Sequence, residues 1–504
     1  MGDTEKSSAH VKVDHVEGEV PLERNFSFWA CFGLGFALLN SWTGGLSVVL
    51  PSGGSIAMVW GLIVSALGTT AMALSLAEIC HVLPLSGGQY DWTYVLAPAG
   101  KKNGLSFFVG WMSAAGWTSL TATNSFLSAQ FVTGLIALWQ PSFEVKAWQT
   151  LLIYLAFLAA AYVLNTFCVR ALPHMDHFAG FWSMGGIVVV AIVVLACSSG
   201  KFNEPKAVFA TFTNETGWPD GVAFLLGLLQ STFGLTAFDA VTHMIEEMPR
   251  PNINAPKVMI VAVILGSVTA WVFMICILFC IRDFNAVLTA TTGPILQIYY
   301  QVTANRVGAT CLLMFNLLGM AFAAEIVMTV SSRIILTFAR DRGMGHLSTW
   351  LAPVHPKLKV PVMCIIFVVI WDIAFGLINL GSTAALNAIL GSSVVFLQIS
   401  YFIPILLIFL RGDRAFEGHD AEATYSLGRW RRPINLFALC FLLVTSVMFT
   451  FPPAIPVTGT SMSYVSVVLG IALLLCGVTW VVDGRKRFNG PGELMTRLEI
   501  SKNA

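Results

Sequence analysis

The chain has 504 residues, of which 56% are hydrophobic and only 11% are charged. Soluble globular domains contain about 25% charged residues, so this composition excludes a soluble enzyme, a nucleic-acid-binding protein and a disordered scaffold. The 28 Lys and Arg residues nearly balance the 27 Asp and Glu residues, and the net charge therefore does not indicate a partner. The positions of the charges along the chain are more informative.

The chain opens with a polar segment that is followed by a long uncharged run. Residues 1–25 lack the apolar core of a cleavable signal peptide and are predicted to form a cytoplasmic tail. No charged residue lies between Arg24 and Glu78, and at about 1.5 Å per residue this run exceeds the thickness of two bilayer cores. The run is therefore predicted to cross the membrane twice, with a turn at Pro51-Ser52-Gly53-Gly54.

Further apolar runs continue this pattern towards the C-terminus. A second long run covers residues 103–143 and is followed by single-span runs at residues 147–169, 178–200, 221–238, 258–281, 307–324, 360–380 (interrupted by Asp372) and 383–410. Residues 433–482 hold two more spans, which are hinged near the proline-rich segment 452–456. The sequence thus predicts an all-α integral membrane protein with twelve transmembrane helices.

Basic residues divide the predicted loops into two sides. With the N-terminus inside, the Lys and Arg residues that fall outside are only Lys146, Lys201, Lys206, Arg282 and Arg306. Cytoplasmic loops of membrane proteins carry an excess of Lys and Arg. Both termini are therefore predicted to be cytoplasmic.

Two spans contain polar, glycine-bearing segments that do not favour a helix in the middle of the membrane. They are residues 39–45 (LNSWTGG) in span 1 and residues 231–239 (STFGLTAFD) in span 6. Interrupted helices at matching positions of two halves indicate a transport site. Because these spans are five apart, they run in opposite directions, as an inverted repeat requires. Alternatively, the small residues permit tight helix packing.

This pairing divides the chain into five predicted parts. They are a tail at 1–25, spans 1–5 as the first repeat at 26–200, spans 6–10 as the second repeat at 201–411, a cytoplasmic loop with spans 11 and 12 at 412–482, and a tail at 483–504. The predicted fold is a five-plus-five inverted repeat with discontinuous helices 1 and 6 and two additional C-terminal helices.

The two interruptions define the predicted substrate site. Unwound backbone is tolerated inside a bilayer only where it lines a cavity, and the free helix ends there attract charged groups of a ligand. The predicted substrate-binding residues are Asn40, Ser41, Trp42, Thr43, Gly44, Phe233, Gly234, Thr236, Phe238 and Asp239. Phe233 is placed to close over the site.

Asp239 is the most informative of these residues. A carboxylate near the bilayer centre costs roughly 2.5–3.5 kcal/mol on insertion scales, so a partner must offset that cost. Asp239 either binds a positive nitrogen of the substrate or caps the inner half-helix. Trp42, Phe233 and Phe238 could face an ammonium group by cation–π attraction, although membrane aromatics also serve in packing.

Other polar residues in the spans suggest a coupling ion and a structural motif. Glu325 and Asp372 could carry a proton, whereas Thr329, Ser331 and Ser332 could bind sodium together with span 1 carbonyls; such hydroxyls also bond to their own helix. A proton is favoured over sodium. A structural role on the cytoplasmic side is predicted for Glu78, Gly87, Gly88, Glu246, Glu247, Arg333 and Arg340.

Signatures of catalysis and metal binding are missing from the sequence. The ten cysteines form no CxxC pair and are interpreted as small apolar residues. No HExxH, P-loop or GxSxG pattern occurs. His174-Met175-Asp176-His177 at a span mouth is interpreted as a surface cap. No enzyme activity, cofactor or metal is expected.

Three segments of the sequence carry a resemblance to a known protein family. They are residues 76–78 (LAE) with 84–92 (PLSGGQYDW), residues 238–247 (FDAVTHMIEE), and residues 331–333 (SSR) with 338–343 (FARDRG). Because these segments occur in the same order as in that family, the chain resembles the fungal amino-acid/choline transporter family of the amino acid–polyamine–organocation superfamily. The resemblance implies the five-plus-five fold, alternating access, and uptake of small nitrogenous solutes across the plasma membrane, usually with protons. The vacuolar membrane is the alternative location.

The resemblance also frames the functional hypotheses. Family substrates include choline, γ-aminobutyrate, other amino acids, polyamines and vitamin precursors. The segment 243–247 (HMIEE) favours the choline-like branch. Some superfamily members place a lysine in span 5 at the ion position, but residues 178–200 contain no Lys or Arg. The leading hypothesis is secondary active transport of a small amine-bearing solute, choline-like first and γ-aminobutyrate or another amino acid second. The alternative is a non-transporting nutrient sensor. The expected partners are the substrate and the lipid bilayer.

Overall fold

The computed structural model describes residues 27–39, 43–378, 380, 385–417, 425–459 and 462–491. The described part of the chain is helical and has no β-strand. Its longer helices are α1 Phe28–Leu38, α2 Gly54–Val82, α3 Lys102–Trp139, α4 Ala147–Phe167, α5 Leu172–Cys197, α6 Asp220–Gly234, α7 Pro251–Cys280, α8 Arg306–Arg340, α9 Val362–Ile378, α10 Ala385–Arg411, α11 Arg431–Met448 and α12 Val465–Thr479.

Shorter helices connect or extend these elements. They include Leu46–Val49, Gln89–Leu96, Pro205–Phe209, Phe284–Leu288, Pro294–Thr303 and Ser348–Leu351, and the 3-10 helix Ala240–Glu247. Local signals explain several helix starts. The Ser27 hydroxyl accepts a hydrogen bond from the Ala30 N–H at α1, and Asn305 caps α8 in the same way through Val307.

Eight helical segments of the described residues are long and apolar enough to cross a bilayer: α2, α4, α5, α7, α8, α10, α11, and α12 together with its helical continuation to Arg487. Helices α1 and α9 are apolar but shorter. Helix α3 is long but carries Ser, Thr and Asn side chains through its middle, and α6 ends early at Gly234. The prediction of an all-helical membrane protein is therefore confirmed, while the count of twelve spans and the repeat remain predictions.

Two chain segments interrupt the helical pattern where the sequence favours a break. Helix α1 ends at Leu38, residues 43–45 are not α-helical, and a single helical turn follows at Leu46–Val49. Helix α6 ends at Gly234, and after five non-α-helical residues the chain continues as the 3-10 helix Ala240–Glu247. Within this gap Ala237 has a φ of 73°, a left-handed conformation that few non-glycine residues adopt.

Helices α1 and α5 are in direct backbone contact through two glycines. A Cβ atom on Gly180 would lie only 2.6 Å from the Gly33 Cα atom. Real side chains do not approach backbone this closely, so the two helices must separate to accept even one methyl group.

We therefore expect Gly180→Ala to destabilise the protein by about 1–3 kcal/mol. The measurement is the apparent melting temperature of the detergent-purified protein. Gly185→Ala, in the same helix with no atom of the described residues within 4 Å of the added Cβ, is the matched control and should leave the melting temperature unchanged. Equal melting temperatures for the two variants would show that the α1–α5 contact is not close.

The two ends of the helices differ in character. One end, here called the arginine-rich face, carries Glu78, Glu246, Glu247, Arg333, Arg340 and Arg431. At the opposite face three loops are joined by backbone hydrogen bonds: the Gly53 N–H donates to the Thr213 carbonyl (2.8 Å) and the Ile455 N–H donates to the Thr216 carbonyl (2.7 Å).

Candidate functional site

Asp239 lies at the interruption after α6 and is completely buried. The Tyr401 hydroxyl of α10 donates to its Oδ1 atom (2.5 Å), and the Gln89 side-chain amide donates to its Oδ2 atom (2.6 Å). Asp239 precedes the 3-10 helix Ala240–Glu247, yet its carboxylate accepts no capping hydrogen bond from that helix. The structure thus shows a carboxylate held by side chains of other elements, and it does not show the capping role.

His243 extends this polar cluster. Its Nε2 atom lies 3.5 Å from Asp239 Oδ2, and its Nδ1 atom is 3.2 Å from the Ser86 carbonyl oxygen. Since a carbonyl only accepts, Nδ1 carries a proton. The Trp117 ring packs edge-on against the imidazole at 5.7 Å. Asp239, Gln89, Tyr401 and His243, called here the Asp239 cluster, therefore form one buried unit.

The interruption after α1 is in close contact with α3 and α6. Asn40, Ser41 and Trp42 lie outside the described residues. Cβ atoms added to Gly44 and Gly45 would lie 2.7 Å from Leu127 Cδ1 and 2.9 Å from Gln230 Cγ, respectively. The absence of side chains at these glycines thus lets the first interruption pack directly against α3 and α6.

A cavity of about 320 Å³ opens beside the first interruption, on the face opposite to the arginine-rich face. Its lining mixes polar and apolar groups and includes Thr43, Gly44, Ser47, Gln130 and Phe131. Thr43 also accepts a hydrogen bond from the Asn316 amide (3.1 Å). Two of the predicted substrate residues therefore line a space that a small solute can enter.

The predicted substrate residues around the α6 interruption are buried and do not line this cavity. Phe233, Gly234, Thr236, Phe238 and Asp239 are all inaccessible to solvent or nearly so. The Thr236 hydroxyl donates to the Thr232 carbonyl (2.7 Å), and the Phe238 ring packs against Tyr401 at 5.3 Å. The structure thus divides the predicted site into an open part at the α1 interruption and a closed part at the α6 interruption.

The predicted coupling residues fall into two groups. Ser331 and Ser332 donate to carbonyls of their own helix, at Val327 and Thr329, which agrees with the alternative interpretation of these hydroxyls. Thr329 and Glu325 instead contact each other, with Thr329 Oγ1 3.2 Å from Glu325 Oε1. Asp372 in α9 is fully buried, and in the described part of the chain neither of its carboxyl oxygens has a hydrogen-bond partner.

Asp176 was missed by sequence reasoning. The interpretation of residues 174–177 as a surface cap suits His174 and His177, which are not buried, but it is wrong for Asp176, which is 1% exposed. The helical period places Asp176 and Gly180 on one face of α5, and this face packs against α1. No local signal in the sequence marks Asp176 as buried, because its burial depends on which face of α5 packs against α1.

The predicted structural residues form ion pairs and turns at the arginine-rich face. Arg333 Nε donates to Glu247 Oε1 (3.0 Å), and Arg340 Nη1 lies 3.5 Å from Glu246 Oε2. The Gly87 N–H donates to Asp91 Oδ2 (3.0 Å) in the turn that continues through Gly88 to Gln89.

Glu78 ties α2 to the chain around the start of α11. Its carboxylate accepts hydrogen bonds from the Leu427 N–H (2.8 Å), from the Ser426 hydroxyl (3.1 Å) and from two nitrogens of Arg431. Its side chain is only 1% exposed. This pairing suits the structural role predicted for Glu78.

An all-helical membrane protein whose two interrupted helices meet beside a cavity and a buried acid belongs to the class of polytopic transporters, not to the enzymes. The sequence model of the family described as amino acid permease matches residues 26–474. The chain therefore belongs to the amino acid permease family.

Individual relatives agree with this assignment. The chain is similar to a choline transporter of Saccharomyces cerevisiae, with 34% identity over 94% of the chain and 84% of the relative. It is also similar to a putative amino acid/polyamine transporter of Macrophomina phaseolina, with 31% identity over 86% of the chain and 96% of the relative. An amino-acid permease of Arabidopsis thaliana shares 26% identity over 96% of each chain.

Proposed function

We propose that the protein imports a small amine-bearing solute by alternating access, with a choline-like substrate first and γ-aminobutyrate or another amino acid second. The observation that carries this proposal is the buried carboxylate of Asp239 at the α6 interruption. The similarity to a choline transporter of yeast supports the same choice.

The charges at the two interruptions favour a cationic substrate. A free helix N-terminus attracts anions, but the negative charge of Asp239 lies directly before the 3-10 helix Ala240–Glu247 and disfavours a second anion there. The other interruption is followed by a single helical turn, Leu46–Val49. A quaternary ammonium group requires a carboxylate and aromatic faces, whereas an amino acid also requires donors for its own carboxylate.

The two faces of the molecule suit one state of an alternating-access cycle. At the arginine-rich face the Arg333–Glu247 pair is buried, while the cavity beside Thr43 and Gly44 opens towards the opposite face. Cytoplasmic loops are rich in Lys and Arg, so the arginine-rich face is assigned to the cytoplasm. The cavity then opens to the outside of the plasma membrane.

A proton is the proposed coupling ion. Buried carboxyl groups take up a proton when they are withdrawn from water, and Glu325 and Asp372 are both buried within helices. The Ser332 hydroxyl oxygen, which a sodium site would need, accepts a hydrogen bond from Arg333 Nη1 (3.1 Å), and a guanidinium at that oxygen disfavours a second cation. We therefore favour proton symport over sodium symport.

Uptake into cells that lack their own choline and γ-aminobutyrate carriers tests this function. Cells expressing the full chain are expected to accumulate labelled choline, and unlabelled γ-aminobutyrate should compete to the extent that it shares the site. Cells carrying the empty vector provide the control. If neither solute accumulates and neither competes, the proposed substrate class is wrong. Binding without accumulation in purified vesicles would favour a nutrient sensor.

A further inference from the structure

Two buried acids lie on neighbouring helices, Asp176 on α5 and Glu325 on α8, and the Phe178 and Phe322 rings of the same two helices are in contact at 5.9 Å. Asp176 is 1% exposed and Glu325 is 2% exposed. Their carboxyl groups are near enough to interact, although no bond of standard hydrogen-bond geometry joins them. Neither oxygen of Asp176, nor Oε2 of Glu325, has a hydrogen-bond partner among the described residues. Three carboxyl oxygens are thus buried without a donor from these residues.

The neighbouring polar groups supply few donors to this pair. Thr329 has one hydroxyl proton, and its Oγ1 atom lies 2.5 Å from Asn165 Oδ1 and 3.2 Å from Glu325 Oε1. The Asn165 amide donates to the carbonyls of Ala161 and Glu325, each at 3.1 Å, and reaches Glu325 Oε1 only at 3.5 Å. These donors weakly stabilise one negatively charged carboxylate and leave no donor for a second one.

The charged groups around the pair are already engaged elsewhere. Arg333 lies about two turns further along α8, since a turn has about 3.6 residues; its positive charge acts on both acids, but its guanidinium donates to Glu247 and to neither of them. Cys31 of α1 is the titratable group nearest on that helix. His174 and His177 of α5 are not buried. Two adjacent carboxylates without their own counter-charge are strongly unfavourable in a low-dielectric interior, and a single shared proton removes most of that penalty.

We propose that the Asp176–Glu325 pair is the proton-carrying site of the transport cycle; this inference rests on the proposed function. The pair takes one proton from water on one side of the membrane and returns one proton to water on the other side. No covalent bond of the substrate forms or breaks. Asn165 and Thr329 act as positioning residues, because they hold Glu325 towards Asp176.

Helix α1 controls access to the pair. A Cβ atom on Gly33 would lie 2.5 Å from the Asp176 carbonyl oxygen, so α1 covers this part of α5 without a gap. The interruption after Leu38 separates α1 from the helical turn Leu46–Val49. Any displacement of α1 away from α5 therefore exposes Asp176 to water and allows the proton to exchange.

Asp372 is the competing candidate. Its carboxyl oxygens also lack a partner within the described ranges, but the Tyr154 hydroxyl bonds to its backbone carbonyl, and no second acid of those ranges interacts with it. A lone buried carboxyl lacks the neighbour that would favour alternate protonation and release. Asp372 therefore serves as the comparison in the experiments below.

The first experiment uses the purified full chain in liposomes, with the membrane potential held at zero by potassium and valinomycin. A difference of one pH unit can drive an accumulation of about tenfold for each coupled proton. We expect the wild-type protein to reach that ratio with labelled choline. Asp176→Asn and Glu325→Gln should still let labelled choline equilibrate across the membrane, but its accumulation should fall to about onefold.

Matched variants define the other outcomes of this experiment. Thr166→Val removes a buried hydroxyl next to Asn165 that has no partner in the described segments, but it keeps every acid, and it should accumulate choline as the wild type does. The inference is wrong if both pair variants still accumulate choline, if Asp372→Asn alone abolishes accumulation, or if a sodium gradient drives accumulation and a pH gradient does not.

A second measurement does not depend on any substrate. Infrared difference spectra of the reconstituted protein, recorded across a pH titration, should show a protonated carboxyl band that disappears in the Asp176→Asn/Glu325→Gln double variant. An unchanged band in that variant would overturn the inference. If the wild type moves neither choline nor γ-aminobutyrate, the proposed function fails, and the infrared result alone then decides whether the pair binds a proton.

Discussion

Replacing Asp239 by Asn is expected to reduce the apparent affinity for a cationic substrate by about 10- to 100-fold. A hydrogen bond or ion contact to a charged group contributes about 1.5–3 kcal/mol, and each 1.4 kcal/mol corresponds to about tenfold in affinity. Asn has nearly the same shape: its carbonyl oxygen can still accept from Tyr401, and its NH2 group can donate to Oε1 of Gln89 once the Gln89 amide turns over, so the cluster should remain folded. The measurement is the concentration dependence of labelled choline uptake in vesicles.

Tyr401→Phe is the matched control for this prediction. It removes the hydroxyl that donates to Asp239 but leaves the carboxylate in place. The loss of one hydrogen bond costs about 0.5–1.5 kcal/mol, so its effect should be clearly smaller than that of Asp239→Asn. Size-exclusion profiles of both variants report whether the fold is intact. An Asp239→Asn protein with wild-type affinity would show that the carboxylate serves structure alone.

The second large effect is expected at the ion pair that closes the arginine-rich face. Arg333 and Glu247 have side chains that are only 2% and 5% exposed, with Nε and Oε1 3.0 Å apart. Removing one member of such a pair leaves a buried charge without compensation and costs about 3–5 kcal/mol. Glu247→Ala should therefore lower the melting temperature of the purified protein strongly or prevent its accumulation in the membrane.

Two further variants test whether burial is the cause. Glu246 forms a comparable pair with Arg340, but its side chain is 36% exposed and the atoms are 3.5 Å apart, so Glu246→Gln should cost less than about 1 kcal/mol. The double variant Glu247→Gln/Arg333→Gln removes both charges of the pair and should recover part of the lost stability. Similar losses in Glu246→Gln and Glu247→Ala would contradict this explanation.

The sequence was sufficient to indicate where α1 and α6 end, although residues 231–234 of the predicted second interruption belong to α6. Glycine and polar residues within apolar runs are unfavourable for a continuous helix in a bilayer, and Gly234 ends α6 as expected. The sequence also singled out Asp239, because an acid in an apolar run needs a special environment. Both features follow from local composition, and a short stretch of the chain is enough to reveal each of them.

The partners of Asp239 could not be deduced in the same way. Gln89 and Tyr401 lie 150 and 162 residues away from it along the chain, and no local pattern encodes such pairs. Asp176 shows a related difficulty. Its burial depends on the rotation of α5 about its axis, which the contact of Gly180 with Gly33 fixes. Four polar-rich residues at a helix start do not by themselves reveal which one points inwards.

The attachment of Glu78 has a consequence for attempts to shorten the protein. Most of its hydrogen-bond donors come from residues 426–431, beyond both proposed repeats. A truncated version that ends before residue 425 would leave the Glu78 carboxylate of α2 without those donors, at a cost of about 1–3 kcal/mol or more. A minimal ten-helix derivative would therefore require a neutral residue at position 78 as well as a new stop codon.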